Sequence, residues 1–232
     1  MTAIVGIQGK DWALIAADSV TTYDDKPYYA KGQDKVVKKG DYVFAFSGDA
    51  IAGNIANFLW NPPKLIKTMP IDIFMQTKVL PSLREVMSDN GYHGASKEDK
   101  EAGFDALICV NGVIYEVDHD YLWSRDDRGL YAVGSGGSLA LGALATGFSK
   151  TSIKSAEFAA RRAIKISADY NISVGGDIKV ISQKRNNMAA MKKLSPAMKK
   201  KAYAMAEKAE PRKEKVKELK KGIAMMKKKK GK

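Results

Sequence analysis

The apolar residues of this chain change their spacing four times, and that succession limits the architecture more than any single motif does. Residues 2–8 (TAIVGIQ) and 12–18 (WALIAAD) are apolar runs rich in strand formers, with Gly9-Lys10-Asp11 between them as a hairpin turn. Residues 35–37 and 42–46 predict a second hairpin around Lys39-Gly40-Asp41. The period then lengthens. Ile51, Ile55, Phe58 and Leu59 recur at helical spacing until Asn61-Pro62-Pro63 ends the helix. A second helix is predicted over 71–87, with Pro81 kinking or interrupting it, and 89–103 reads as a polar loop. Strands return at 104–110 and 113–117, joined by Asn111-Gly112, a strong two-residue hairpin signal. A strand at 130–133 precedes Gly134-Ser135-Gly136-Gly137, and 138–146 is small and apolar enough for a close-packed helix. Ile153, Ala156, Ala160, Ala163, Ile164 and Ser167 keep helical spacing, and 178–181 is the last strand. Strands, two helices, strands, two helices and a strand predict an α+β layered fold rather than a doubly wound parallel sheet.

The 232 residues suffice for one sizeable domain and an appendage. The formal charge of +13 is unevenly placed: from Lys184 onward there are 19 basic and 4 acidic residues, a net of +15, so the remainder stands near −2. We expect a domain over 1–183 with no electrostatic call for nucleic acid. The tail, 184–232, is Lys/Ala/Met-rich and expected to be helical or disordered, with Val216, Leu219, Ile223 and Met226 along one helical face. Such a segment could contact polyanions in a salt-dependent way, although Tyr203 is its single aromatic residue. No run is long enough to span a membrane, and Lys10 and Asp11 interrupt any secretory h-region, so a cytoplasmic location is expected. Cys109, inside ALICV, reads as a small buried hydrophobe.

Most catalytic constellations are missing from the sequence. His93 and His119 stand in polar stretches without metal-ligand spacing and read as exposed loop residues. There is no CxxC, HExxH, GxxxxGK or GxSxG, so no metal or cofactor is expected. The informative residue is Thr2. Removal of Met1 would make it the first residue, with no propeptide to cleave. Its hydroxyl is then a nucleophile, and its α-amine, of reference pKa about 7.7–8.0, a base. Such a site needs no histidine.

Thr2-Ala3-Ile4-Val5-Gly6-Ile7 and Leu14-Ile15-Ala16-Ala17-Asp18-Ser19 resemble the first hairpin of proteasome β subunits and of the bacterial two-component proteasome-like protease. Asp34-Lys35-Val36, residues 43–50 (VFAFSGDA), residues 130–137 (LYAVGSGG), Ala168-Asp169 and Ser173-Val174-Gly175-Gly176 resemble later motifs of that family in the same order. The resemblance covers about residues 2–181. It implies a four-layer αββα sandwich of the N-terminal nucleophile hydrolase type. It implies a threonine-type endopeptidase acting on protein or peptide substrates, in a ring-like homo-oligomer with a possible unfoldase partner. By position, Thr2 is the nucleophile and Lys35 lowers the pKa of its hydroxyl and amine. Asp18 holds Lys35, Ser135 and Asp169 bond around the amine, and Ser173 completes that network. The backbone N–H of Ala45 stabilises the oxyanion. Two departures stand out: Ala45 occupies a place where the family often has glycine, and the Asp169-to-Ser173 spacing is unusual. Plainer readings stay open for each residue: Asp18 a turn residue, Lys35 a solvated lysine, Ser135 a helix N-cap, Asp169 a helix end. A non-catalytic scaffold of the same fold is the alternative function.

Overall fold

A computed structural model describes residues 2–23, 26–29, 32–93, 103–147 and 152–185. The chain divides into two units, Met1–Asn187 and Met188–Lys232; every described residue belongs to the first. The expectations for the basic tail beyond Arg185, including its apolar face, lie outside the described residues.

Two antiparallel sheets form the centre. The first is four-stranded, in the order β10 (Leu130–Val133), β1 (Ile4–Gln8), β2 (Trp12–Ala17), β11 (Lys179–Lys184). The second is five-stranded and runs β5 (Val36–Lys39), β6 (Tyr42–Gly48), β7 (Phe104–Val110), β8 (Val113–Asp118), β9 (Trp123–Ser124). A separate hairpin pairs β3 (Val20–Tyr23) with β4 (Lys26–Tyr29). The turn between β7 and β8 has Asn111 at φ 50° and Gly112 at φ 72°, the left-handed pair that a two-residue hairpin demands.

Strand alternation sorts the buried side chains into three cores, and these define four layers. Ile4, Ile15, Val43, Ala45, Leu107, Ile114 and Tyr131 fill the space between the sheets. Val5, Leu14 and Ala16 face the other way and pack on Ala140, Leu144, Ala156, Ala160 and Ile164 from α4 (Gly137–Ala145) and α5 (Ile153–Tyr170). On the far side, Tyr42, Phe44, Phe46 and Ile108 pack on the helices between β6 and β7. These are α1 (Ala50–Asn54), a π-helical turn over Ile55–Leu59, α2 (Ile71–Phe74), a second π-helical turn over Met75–Val79, and α3 (Leu80–Asp89). Trp60 anchors this layer. It is 1% exposed, with its ring 5.2 Å from Phe44 and 5.8 Å from Tyr42. The architecture is the αββα sandwich that the resemblance implies.

Pro81 neither breaks nor ends its helix. It sits in the first turn of α3, directly after the π-helical turn, which absorbs the backbone bond that proline cannot donate. Three elements differ from the sequence reading. The β3–β4 hairpin is not among the predicted strands: it is short, lacks an apolar run, and the residues of β4 are exposed. The two-residue β9 is too short to leave a strand pattern in the sequence. The domain boundary placed after Gln183 falls inside β11, which pairs Lys184 with Trp12, and the Arg185 N–H donates to Asp11 O at 2.7 Å.

At the end of the sandwich where β1 and β11 approach the β7–β8 turn, glutamine side chains join the sheets. Gln8 Oε1 accepts the Ile114 N–H at 2.7 Å, and Gln183 Oε1 accepts the Gly112 N–H at 2.8 Å. Gln183 Oε1 also accepts the Cys109 thiol at 3.2 Å. Burial pushes the Cys109 thiol up to about 12, so it is inert packing, as its apolar setting suggested.

Candidate active site

Thr2 lies at the opposite end of the sandwich, just before β1. The register that pairs Ile4 with Val133 carries it next to the turn after β10. The Thr2 N–H donates to Ser135 Oγ at 3.3 Å, and its carbonyl accepts the Gly136 N–H at 3.1 Å. Gly134 makes this approach feasible. At φ 89° it is in the left-handed region, and a Cβ there would stand 2.4 Å from the Thr2 carbonyl oxygen. Ser135 is exposed and is not the helix cap, since α4 begins from Gly136. Its hydroxyl is turned to Thr2 instead.

Asp18 ends β2 on the other flank, with its side chain fully buried. Oδ1 accepts the Ala3 N–H at 2.9 Å and the Lys35 ammonium at 2.9 Å; Oδ2 accepts the Gly175 N–H at 3.1 Å. A carboxylate with three donors is a well-satisfied buried anion, not an ordinary turn residue. Lys35, just before β5, also donates to the Val20 carbonyl, and its side chain is 11% exposed. It is therefore not a solvated lysine. Burial lowers its pKa from the ordinary value, against the opposing pull of Asp18.

The strand ladder leaves Ala45 without a free N–H for the oxyanion. Ala45 lies in the middle of β6, opposite Val36 on one side and Leu107 on the other. Bonds at the two ends of the β6–β7 ladder fix which way each residue faces. Asn111 N–H donates to Asp41 O at 3.3 Å, and Asp49 N–H to Gly103 O at 3.0 Å. Odd-numbered residues of β6 therefore bond to β7, and the Ala45 N–H is spent on Leu107. Its side chain is fully buried between the sheets. Three residues on, Gly48 is exposed and faces away from β7, past the start of β5 at Val36, on the side from which Lys35 approaches. Its φ of 90° admits only glycine in practice, since a Cβ would meet Gly103 O at 2.2 Å. Ser47, its neighbour, packs near Gly134, which touches Thr2. The Gly48 N–H thus points away from β7 beside the turn that holds Thr2, which makes it a candidate donor. Its position in FSGD at the end of an apolar strand was the available signal.

Asp169 also departs from its expected place. It is exposed in the last turn of α5 and has no hydrogen bond to Ser135 or Thr2. The α5 residues that reach the Ser135 turn are Ser167 and Asn171. Ser167 is fully buried and donates from Oγ to Gly136 O at 2.9 Å. Asn171, the C-cap of α5, donates from Nδ2 to Ser135 O at 3.3 Å. Residues four apart share a helix face, and a residue midway between them points elsewhere. Continuing the buried stripe from Ile164 through Ser167 leads to Asn171, not Asp169. Ser173 is buried, 1% exposed, and its N–H donates to Asn171 Oδ1 at 3.0 Å. His93 and His119 stand apart from Thr2; both line a cavity of about 290 Å³ with Arg84 and Tyr121.

No family model matches the sequence, and no curated protein matches it. Solved structures do match the fold. Thiobacillus denitrificans BPH in complex with epoxomicin aligns at TM-score 0.61 and 21% identity, over 80% of this chain and 100% of that one. The same protein described without epoxomicin gives 0.61 and 23%, with the same coverage. Eukaryotic HslV from Trypanosoma brucei gives 0.53 and 17%, over 79% of this chain and 99% of that one. With its four layers and Thr2 at the head of the first strand, the chain has the proteasome-type N-terminal nucleophile hydrolase fold.

Proposed function

We propose that the chain is a threonine-type endopeptidase whose nucleophile is Thr2 after removal of Met1. The observation that carries this reading is the convergence on Thr2 of a buried Lys35–Asp18 pair, at 2.9 Å, and Ser135 at 3.3 Å from its nitrogen. In the reaction, Thr2 Oγ attacks the scissile carbonyl carbon and its proton passes to the Thr2 α-amine. The oxyanion is held by the Gly48 N–H, an interaction worth roughly 3–4 kcal/mol in comparable sites. As the C–N bond breaks, the leaving amine takes the proton from the Thr2 ammonium. The resulting ester is hydrolysed by a water that the freed amine deprotonates, and Oγ regains its proton. Lys35 lowers the cost of the alkoxide by its charge, and Asp18 keeps it charged and aimed. Ser173 joins the network through Asn171.

The reading includes a ring-like homo-oligomer, protein or peptide substrates, an unfoldase partner and a cytoplasmic location. It also includes a polyanion contact through a separate basic tail segment. The fold shared with HslV and with T. denitrificans BPH, which was solved in complex with epoxomicin, supports the peptidase part. No described helix is long and apolar enough to cross a membrane.

Intact mass and labelling test the proposal together. Protein made in bacteria should lack Met1 and gain one adduct with epoxomicin, while Thr2→Ala should gain none and hydrolyse no peptide. Equal peptide turnover in wild type and Thr2→Ala would leave only the scaffold reading.

A further inference from the structure

We propose that Asn171 is a positioning residue that holds Ser135 on the Thr2 nitrogen with a neutral amide, in the place where a carboxylate was expected. Its side chain uses both ends. Nδ2 donates to Ser135 O at 3.3 Å and Oδ1 accepts the Ser173 N–H at 3.0 Å, so one planar group ties the turn before α4 to the turn after α5. Ser135 is exposed, and its Oγ meets Thr2 N at 3.3 Å. The backbone around Ser135 is fixed by Asn171 on this side and by Gly136 on the other, whose N–H and O are taken by Thr2 O and Ser167 Oγ. Asn171 does not touch Thr2; it acts through Ser135.

The inference rests on the peptidase reading, and its consequence is electrostatic. The charged groups around Thr2 can be followed element by element. From β2 and the lead into β5 come Asp18 and Lys35, paired with each other. At the β6–α1 turn, the Asp49 carboxylate caps α1 through the Ile51 N–H at 2.8 Å. In β7, Asp105 is exposed, with desolvation raising its carboxyl above the ordinary value. Asp169 and Asp177, on the α5 side, are exposed. The groups bonded around Ser135 are a hydroxyl, an amide and backbone. A Thr2 ammonium thus has no carboxylate on the Ser135 side, and the carboxylate on its other flank, Asp18, is neutralised by Lys35, which favours the neutral amine over a site with a carboxylate at position 171.

The test uses full-length chain released with Thr2 as its first residue. Carbamoylation by cyanate, followed by peptide mass spectrometry across pH, reads the midpoint of the Thr2 amine whether or not peptide is cleaved. The wild-type midpoint should fall at or below the reference of about 7.7. Asn171→Asp keeps the shape and the Ser173 bond, removes the donor to Ser135 O and adds a charge. Its midpoint should rise by about half a unit or more, with the acidic limb of kcat moving by the same amount. Asn171→Ala adds no charge; kcat should drop on the order of tenfold at unchanged KM, because Ser135 loses its anchor. An unmoved midpoint in Asn171→Asp, a wild-type midpoint above 8, or full kcat in Asn171→Ala would each overturn the proposal. Absence of any Thr2-dependent hydrolysis would sink the peptidase reading while leaving the carbamoylation result to judge the amide.

Discussion

The two flanks of Thr2 are built on different principles. On the β2 flank, Asp18 and Lys35 form an ion pair with side-chain exposures of 0% and 11%, stitched to Ala3, Val20 and Gly175. On the α4–α5 flank, Ser135, Asn171 and Ser173 are linked by neutral hydrogen bonds, and Ser135 is open to solvent. A buried charge must be held by many partners or its desolvation goes uncompensated, so the first flank is fixed as part of the fold. A neutral group at the surface, such as the Ser135 hydroxyl, carries no such penalty and can be altered with little effect on folding. Charge supply and amine orientation are thereby separated.

The largest expected effect comes from the buried flank. Asp18→Ala strips three donors of their acceptor and leaves the Lys35 ammonium without its carboxylate. It should abolish peptide turnover and lower stability by about 3–5 kcal/mol in denaturant unfolding. Gly48→Ala follows. The strained turn should cost about 1–3 kcal/mol, and displacement of the N–H should cut kcat by on the order of tenfold to a hundredfold. Ser135→Ala sharpens the contrast: kcat should fall on the order of tenfold while stability stays within about 0.5 kcal/mol of wild type. A stability loss like that of Asp18→Ala would erase the distinction between the flanks.

The smallest effect is on pH dependence. The folded pKa of Lys35 is depressed below its ordinary 10.5. Between the depressed value and 10.5, the unfolded chain holds a proton that the folded chain has released, so this group makes stability rise with pH in that window. Tyr42 and Tyr115 are raised by burial and act in the opposite sense. The comparison is therefore wild type against Lys35→Met, whose unfolding free energy should lack the rising contribution.

Much of this arrangement can be read from the sequence where local chemistry and burial agree. The β1–β2 and β7–β8 hairpins are apolar runs rich in strand formers, and the Asn111-Gly112 turn suits its left-handed angles. The β3–β4 hairpin has neither. It is fixed by Val20, whose carbonyl takes the Lys35 ammonium and whose N–H reaches Gly175 O. Such long-range bonds leave no periodic trace. Thr2, Asp18, Lys35 and Ser135 lie together: Asp18 accepts from Lys35 and the Ala3 N–H, and Ser135 from the Thr2 N–H. Ala45 and Gly48 could not be told apart from residue type, because the direction of an N–H depends on which neighbouring strand each residue faces. At Asp169 the resemblance follows residue type, whereas the helix phase of α5 leads to Asn171.

Ala45 has a different consequence as a spacer. Thr2 belongs to one sheet and Gly48 to the other, so the gap that a scissile carbonyl must enter is set by whatever separates the two sheets. The glutamine bonds of Gln8 and Gln183 close the far end, like the spring of a clothes-peg, and the jaw opening follows the thickness of the filling between. Position 45 contributes only a methyl to that filling, in the core it shares with Val36, Leu107 and Val133. The aperture of the site is therefore gauged by core volume, and a few cubic ångströms added at a residue that never meets substrate would reset it.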